Sequence, residues 1–272
     1  MDAEDPNEET QYHLEISAAD IEGPVLLPGN PERVPKIAST WDEQETVATH
    51  REFRTMRGSY RESPLSCTST GIGGPSAGIA VEELARAGAD RFIRVGSCGA
   101  IQPDVEVGDL VITSAAVRQE GTSDEYVRPS YPAAADYRIV SALVAAAEQL
   151  ELPYHLGVTC STDSFYPGQS RRGFDGYEHP DGDRRLEELQ EAGVINFEME
   201  TATICTLAAL FGLQAGAVCT VYANRTTGEF RTEGERRAGE VASLAASILS
   251  EMDQVVADSG ADRWHAGLSL SQ

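Results

Sequence analysis

The sequence predicts an α/β fold, one domain built on a largely parallel or mixed sheet. Three observations predict it. Short apolar runs such as Phe92-Ile93-Arg94-Val95 and Val194-Ile195-Asn196-Phe197 alternate with longer stretches of helical periodicity. The runs are followed by turns rich in glycine, proline, serine or asparagine. No internal repeat interrupts the alternation.

Taken in order, residues 1–10 read as a disordered acidic arm. Val25-Leu26-Leu27 is a short strand running into Pro28-Gly29-Asn30-Pro31-Glu32-Arg33, a turn that opens a helix. Glu45 to Thr49 is a strand before His50-Arg51-Glu52-Phe53. Leu65 to Thr70 is another, followed by Gly71-Ile72-Gly73-Gly74-Pro75-Ser76. Pro75 suits the first turn of a helix that ends at Gly88. The next strand is Phe92 to Val95, stopping at the glycine turn Gly96-Ser97-Cys98-Gly99. Val107 to Thr113 holds a turn and a strand, Asp136 to Leu150 an amphipathic helix, and His155 to Cys160 a strand. Arg172 to Arg185 is charged and Gly-rich, and reads as a flexible surface loop. Val194 to Phe197 feeds an apolar helix to about Phe211, and Ala215 to Val221 is the last strand. A long helix from Glu233 to Asp258 closes the domain at 11–258, leaving 259–272 as a tail.

The 272 residues carry a net charge of −23, from 44 acidic and 21 basic residues, and Lys36 is the sole lysine. Such a surface repels nucleic acid and anionic membranes, so neither is an expected partner. It is similar in composition to proteins of salt-loving organisms, and low salt is expected to destabilise it. No apolar run approaches the roughly 20 residues of a membrane span, and the acidic start is unlike a signal peptide; a cytoplasmic location is expected. The five cysteines are scattered without the spacing of a zinc site. Cys98 reads as a small core residue rather than a nucleophile.

The chemistry-bearing loops each follow a strand: Gly29–Arg33, Gly71–Ser76, Arg94–Gly99, Phe165–Arg171, Glu198–Glu200 and Asn224–Thr226. Ligands of open α/β sheets bind at the carboxyl ends of the strands. Arg94 lies inside an apolar run, where a guanidinium needs an anion or a carboxylate beside it. An oxyanion site and a structural Arg–carboxylate pair both satisfy that need. Arg33 adds charge at a helix start. Glu198 and Glu200 stand at another helix start, able to cap it or to take sugar hydroxyls. Gln169 offers donor and acceptor to the edge of a heterocycle, Arg171 stabilises negative charge on a leaving base, and Phe165 stacks on that base or joins the core. No Walker motif or Ser-His-Asp set competes.

These motifs, in this order from about His13 to the final long helix, resemble the nucleoside phosphorylase family of the purine and uridine phosphorylase type. The carriers are Pro28 to Arg33, His50 to Phe53, Ser69 to Ser76, Arg91 to Ala100, Phe165 to Gln169, Phe197 to Glu200 and Asn224 to Thr226. The resemblance implies a three-layer α/β/α sandwich with a mixed central sheet. It implies reversible phosphorolysis of uridine to uracil and ribose 1-phosphate, by a hexamer of dimers with shared active sites. Phosphate then falls to Gly29, Arg33, Arg94 and Ser97, with Arg51 from a neighbouring subunit. Ribose falls to Met199 and Glu200, and the 5′-hydroxyl to the neighbour's copy of His13. Uracil falls to Gln169 and Arg171, beside Phe165, Gly99 and Glu198, with Arg225 supporting the pocket. No cofactor is required. In some members a monovalent cation, K+ here, sits between subunits at positions matching Glu52, Ile72 and Ser76. Ser97-Cys98 stands where many uridine-cleaving members have two threonines, and the turn is also similar to that of purine members. Those protonate the base with an aspartate, whereas Ala223 occupies the matching position. Purine phosphorolysis, hydrolysis by a nucleosidase, and nucleoside binding without turnover are the alternatives.

Overall fold

The computed structural model describes residues 10–232 and 234–269. The expected acidic arm, apart from Thr10, lies outside them. The strands are β1 (Val25–Pro28), β2 (Glu43–His50), β3 (Phe53–Tyr60), β4 (Ser63–Thr68), β5 (Arg91–Ala100), β6 (Leu110–Gln119), β7 (Ala133–Ala134), β8 (Tyr154–Thr162), β9 (Val194–Glu198) and β10 (Gln214–Asn224). The helices are α1 (Arg33–Ala38), α2 (Gly74–Arg86), α3 (Thr122–Tyr126), α4 (Tyr137–Gln149), α5 (Gly182–Glu191), α6 (Thr201–Leu210), α7 (Glu235–Ser259) and α8 (Ala266–Ser269).

The sheet is mixed and runs β10-β6-β8-β9-β5-β1-β4-β3-β2, with β7 paired to β6. β10 also pairs in parallel with β5, from Gln214↔Arg91 to Asn224↔Ala100. The pairings β5–β10–β6–β8–β9–β5 therefore close into a ring. Alternation along the central strands sends neighbours to opposite faces. Leu26, Ile93 and Val218 pack on one side with Val34 of α1, Leu143 of α4 and Leu244 of α7. Val25, Leu27 and Phe92 pack on the other with Val81 of α2 and Ile204 of α6. Helices thus cover both faces, the three layers expected.

Local chemistry sets the helix ends. The Asp136 carboxylate accepts from the N–H groups of Arg138 and Ile139 at 2.9 and 3.3 Å and caps α4, a contact worth about 1 kcal/mol. Gly88, at φ 91°, follows α2, and Gly260, at φ 67°, ends α7. Helix α6 is buried nearly all round because it lies between the sheet and α2.

Three expectations need correction. The chain does not turn at Gly96–Gly99: β5 runs unbroken to Ala100, and neither Gly96 nor Gly99 has a positive φ. Both glycines serve proximity rather than a turn. Arg172 to Arg185 is not all loop, since a short 3-10 turn covers Phe174–Gly176 and α5 begins at Gly182. The described part of the tail folds back: Trp264 packs against the α4–α7 core, and its carbonyl accepts from the Tyr137 hydroxyl at 2.7 Å.

Candidate active site

The site begins with a gap in the sheet. β1 accompanies β5 as far as Pro28↔Val95, and β9 joins it again at Gly99↔Phe197. Between those points, among the described residues, Gly96, Ser97 and Cys98 pair only with β10, and they line a cavity of about 470 Å³.

Arg94 is the centre of that cavity's charge. It is 4% exposed. Its Nε donates to Glu198 Oε2 at 2.7 Å, and its Nη2 is paired with Glu200 Oε2. Its Nη1 is buried and has no hydrogen-bond partner among the described residues. The Arg–carboxylate pair is therefore present, and one donor remains for an anion. Gly96 makes room for the guanidinium: a Cβ there would stand 3.0 Å from Nη2 and 2.6 Å from Cys219 Sγ.

The two glutamates behave differently. Burial would raise the Glu198 pKa, but Arg94, the Ser161 hydroxyl and the N–H groups of Glu200 and Thr201 hold it below the usual carboxylate value. Its oxygens are fully engaged in holding Arg94 and capping α6. Burial raises the Glu200 pKa; the charge of Arg94 opposes this, and that of Glu198 adds to it. The other oxygen of Glu200 accepts from the Gly73 N–H at 2.6 Å, which ties the Gly-rich turn before α2 to the cavity wall. For Arg94, burial works against the charge, but Glu200 and Glu198 outweigh it and raise the pKa above its ordinary value.

Gly29, Arg33, Arg94 and Ser97 all line the cavity, as do Met199 and Glu200. Gly29 and Gly71 are joined backbone to backbone at 3.0 Å, and a Cβ at Gly29 would press on the Gly71 carbonyl at 3.0 Å. Arg33 Nη2 donates to the Tyr222 hydroxyl at 3.1 Å.

Gly99, Phe165, Gln169 and Arg171 line another part of the same cavity. The Arg171 guanidinium lies 4.6 Å from the Phe165 ring centroid, and Gly99 leaves it space, a Cβ there standing 3.4 Å from Nη2. Gln169 sits in a 3-10 turn, Pro167–Gln169, and is 3% exposed. Arg225 lies behind this wall, its guanidinium donating to the carbonyls of Gln169 and Ser170. Burial lowers the pKa of Arg171 and of Arg225, and in Arg225 the charge of Arg171 adds to the effect. Two arginines crowded in this way favour an anionic group between them and the cavity.

His13 and Arg51 lie off the cavity. His13 Nδ1 is 2.6 Å from Glu83 Oε1, and Arg51, at φ 55° in the β2–β3 turn, stands over the Tyr12 ring at 5.7 Å. Ser76 Oγ donates to Glu52 Oε1 at 3.1 Å, beside the exposed Ile72. Their donors are oxygens only, the set a hard cation takes. Among the described residues no cluster of three His, Cys, Asp or Glu side chains could hold a metal. Burial pushes the Cys98 thiol well up, which leaves it protonated and unreactive.

Four residues were not singled out in the sequence. Ser161 donates to Glu198 and accepts from the Ala202 N–H at 2.9 Å. Glu83 accepts from the backbone N–H groups of His13 and Leu14 at 2.9 Å each. Tyr222 and Phe230 complete the cavity wall. A serine closing a strand and a glutamate inside an apolar helix face were the available signals.

The chain is similar to known proteins over most of its length. The Phosphorylase superfamily matches residues 25–252. The chain is 54% identical over 270 residues to a uridine phosphorylase of Thermococcus kodakarensis, covering 98% of each. It is 46% identical over 225 residues to a uridine phosphorylase of Escherichia coli, 80% of this chain and 87% of that one. A guanosine phosphorylase of Halorubrum lacusprofundi is 41% identical over 218 residues, 80% of this chain and 85% of that one.

Proposed function

Because this chain belongs to the phosphorylase superfamily, we propose that it catalyses reversible phosphorolysis of uridine to uracil and ribose 1-phosphate. One observation carries the reading. A single cavity places Arg33, Arg94 and Ser97 together with Gln169, Arg171 and Phe165, and with Met199 and Glu200.

Breaking the C1′–N1 bond leaves its electron pair on the uracil nitrogen and positive charge on the sugar. Phosphate held by Arg94 Nη1, Arg33 and Ser97 faces that charge and forms the new C1′–O bond. The Gln169 carboxamide and Arg171 stabilise the uracil anion until it takes a proton, so no strong acid is required. Glu200, with its raised pKa, accepts the ribose hydroxyls beside Met199. Holding both reactants in one site supplies the orientation.

Arg51 and His13 reach a neighbouring subunit's cavity in this reading, as a hexamer of dimers allows; their position on the surface, away from this chain's own cavity, supports it. Glu52, Ile72 and Ser76 would hold a monovalent cation between subunits. The reaction requires no other cofactor. No helix among the described residues is long and apolar enough to cross a membrane, and a cytoplasmic enzyme with a salt-adapted surface fits the charge of −23.

The second reading is purine phosphorolysis, favoured by Cys98 in the cavity wall and by the guanosine phosphorylase relative. Ala223, which also lines the cavity, has no proton to give a purine. Release of free base from uridine, with and without phosphate in high-salt buffer and with inosine in parallel, tests both. Uracil only with phosphate is expected. Uracil without phosphate would mean a nucleosidase, and cleavage of inosine alone a purine enzyme.

A further inference from the structure

The pairing of β5 with β10 slips at one residue. Val221 opposes Cys98 and Ala223 opposes Gly99, so Tyr222 is the extra residue of a bulge. Bulges bend a strand and re-aim a side chain, and they collect beside active sites. Here the re-aimed phenol reaches the cavity and meets Arg33 twice. Its hydroxyl accepts from Arg33 Nη2 at 3.1 Å, and its ring lies 5.6 Å from the guanidinium carbon. The Tyr222 carbonyl accepts from the Arg231 N–H at 2.9 Å, which fixes the bulge from the other side.

Arg33 is the first residue of α1, a helix of six residues. A guanidinium already held in place gives up less side-chain freedom when an anion binds, which favours affinity. We infer that Tyr222 is a positioning residue for the anion: its bulge pre-sets Arg33 for inorganic phosphate by a hydrogen bond and a stack. The inference rests on the phosphorolysis reading only for its kinetic form, since binding of phosphate itself can be measured without turnover.

Tyr222→Phe keeps the stack and removes the hydrogen bond, and Tyr222→Leu removes both. Inorganic phosphate is titrated calorimetrically into wild type and both variants, and KM is measured for phosphate and for uridine. Thermal melts confirm that each variant is folded. Phosphate Kd and KM are expected to rise about 3- to 10-fold in Tyr222→Phe, on the scale of one side chain's ordering, and further in Tyr222→Leu. The uridine KM at saturating phosphate should move much less. In an Arg33→Ala background the Tyr222→Phe effect on phosphate should vanish. Unchanged phosphate binding in folded Tyr222→Leu would overturn the inference, as would an equal rise in both KM values or an effect that persists without Arg33. Phosphate-independent turnover by wild type, with phosphate binding still weakened in Tyr222→Phe, would sink phosphorolysis and leave the positioning role standing.

Discussion

Gly96 and Arg94 occupy one volume: the guanidinium folds back over the glycine, 3.0 Å from where a Cβ would be. The same Cβ would meet Cys219 Sγ at 2.6 Å. Gly96→Ala is therefore expected to cost about 1–3 kcal/mol through overpacking and to displace Arg94. Adding Cys219→Ala relieves the sulfur contact but not the contact with Arg94. The double variant should regain stability in denaturant melts while phosphate affinity stays low. Recovery of both would show that Gly96 serves only the packing of β5 on β10.

Arg94→Ala should abolish phosphate-dependent turnover, and it should also weaken the fold. It leaves Glu198 and Glu200, 3% and 4% exposed, without their cation. Removing one partner of a buried pair costs about 3–5 kcal/mol. Freed of Arg94, both carboxylates take up protons more readily, so the loss should shrink as the pH falls from neutral. Urea midpoints against pH test this; a loss independent of pH would mean that the two carboxylates are not the cause.

Arg171→Ala should lower kcat/KM for uridine by about 10²–10³-fold, the usual loss of one preorganised charge-stabilising group. The half-buried guanidinium lies over the Phe165 ring rather than in the core, so the melting temperature should hardly move. Arg171→Lys is expected to restore little, because an ammonium lacks the planar stack. A comparable loss for a nucleoside with a more acidic base would count against a role at the leaving group.

Asp253 on α7 accepts from Arg91 Nη1 at 2.6 Å and from Arg138, joining α7 to β5 and α4. Burial opposes its charge, but the hydrogen bonds from Arg138 and Arg91 hold its pKa below 3.8. A depressed carboxylate contributes stability above its unfolded pKa and loses it as pH falls through the folded value. Asp253→Asn should therefore cost up to about 1 kcal/mol per bridge near neutral pH, discounted for the group's exposure. That cost should begin to shrink as the pH falls to about 3.8, the ordinary value, and be gone once the pH is below the depressed folded value. Urea melts of both proteins across this range decide, and a constant difference would assign the effect to packing.

The alternation of strands and helices was legible because apolar runs of period two differ from amphipathic stretches. Strand β3 was not, since Phe53 to Tyr60 has no apolar run and forms by pairing with β2 and β4. Helix α5 was hidden by its polarity; only Gly182 and Leu189 are buried. Most residues of the cavity wall were readable as motifs near strand ends, although Arg94 to Gly99 lie within β5 itself rather than in a loop after it. What they share could not be read from local pattern. Gly96 looks like a turn in sequence, and only the neighbouring guanidinium shows that its purpose is space. The bulge at Tyr222 depends on the register between strands more than a hundred residues apart.

The ring closed by β10 also orders events during synthesis. Arg94 emerges from the ribosome long before Glu198, Glu200 and the strand that completes its surroundings. Until then the nascent chain holds a cation that no apolar core accepts, so β5 has reason to stay solvated rather than collapse early. Closing contacts across such sequence distances is slow. A chain stopped before β10 lacks the strand that pairs with Gly96, Ser97 and Cys98, and so carries Arg94 without one wall of its cavity.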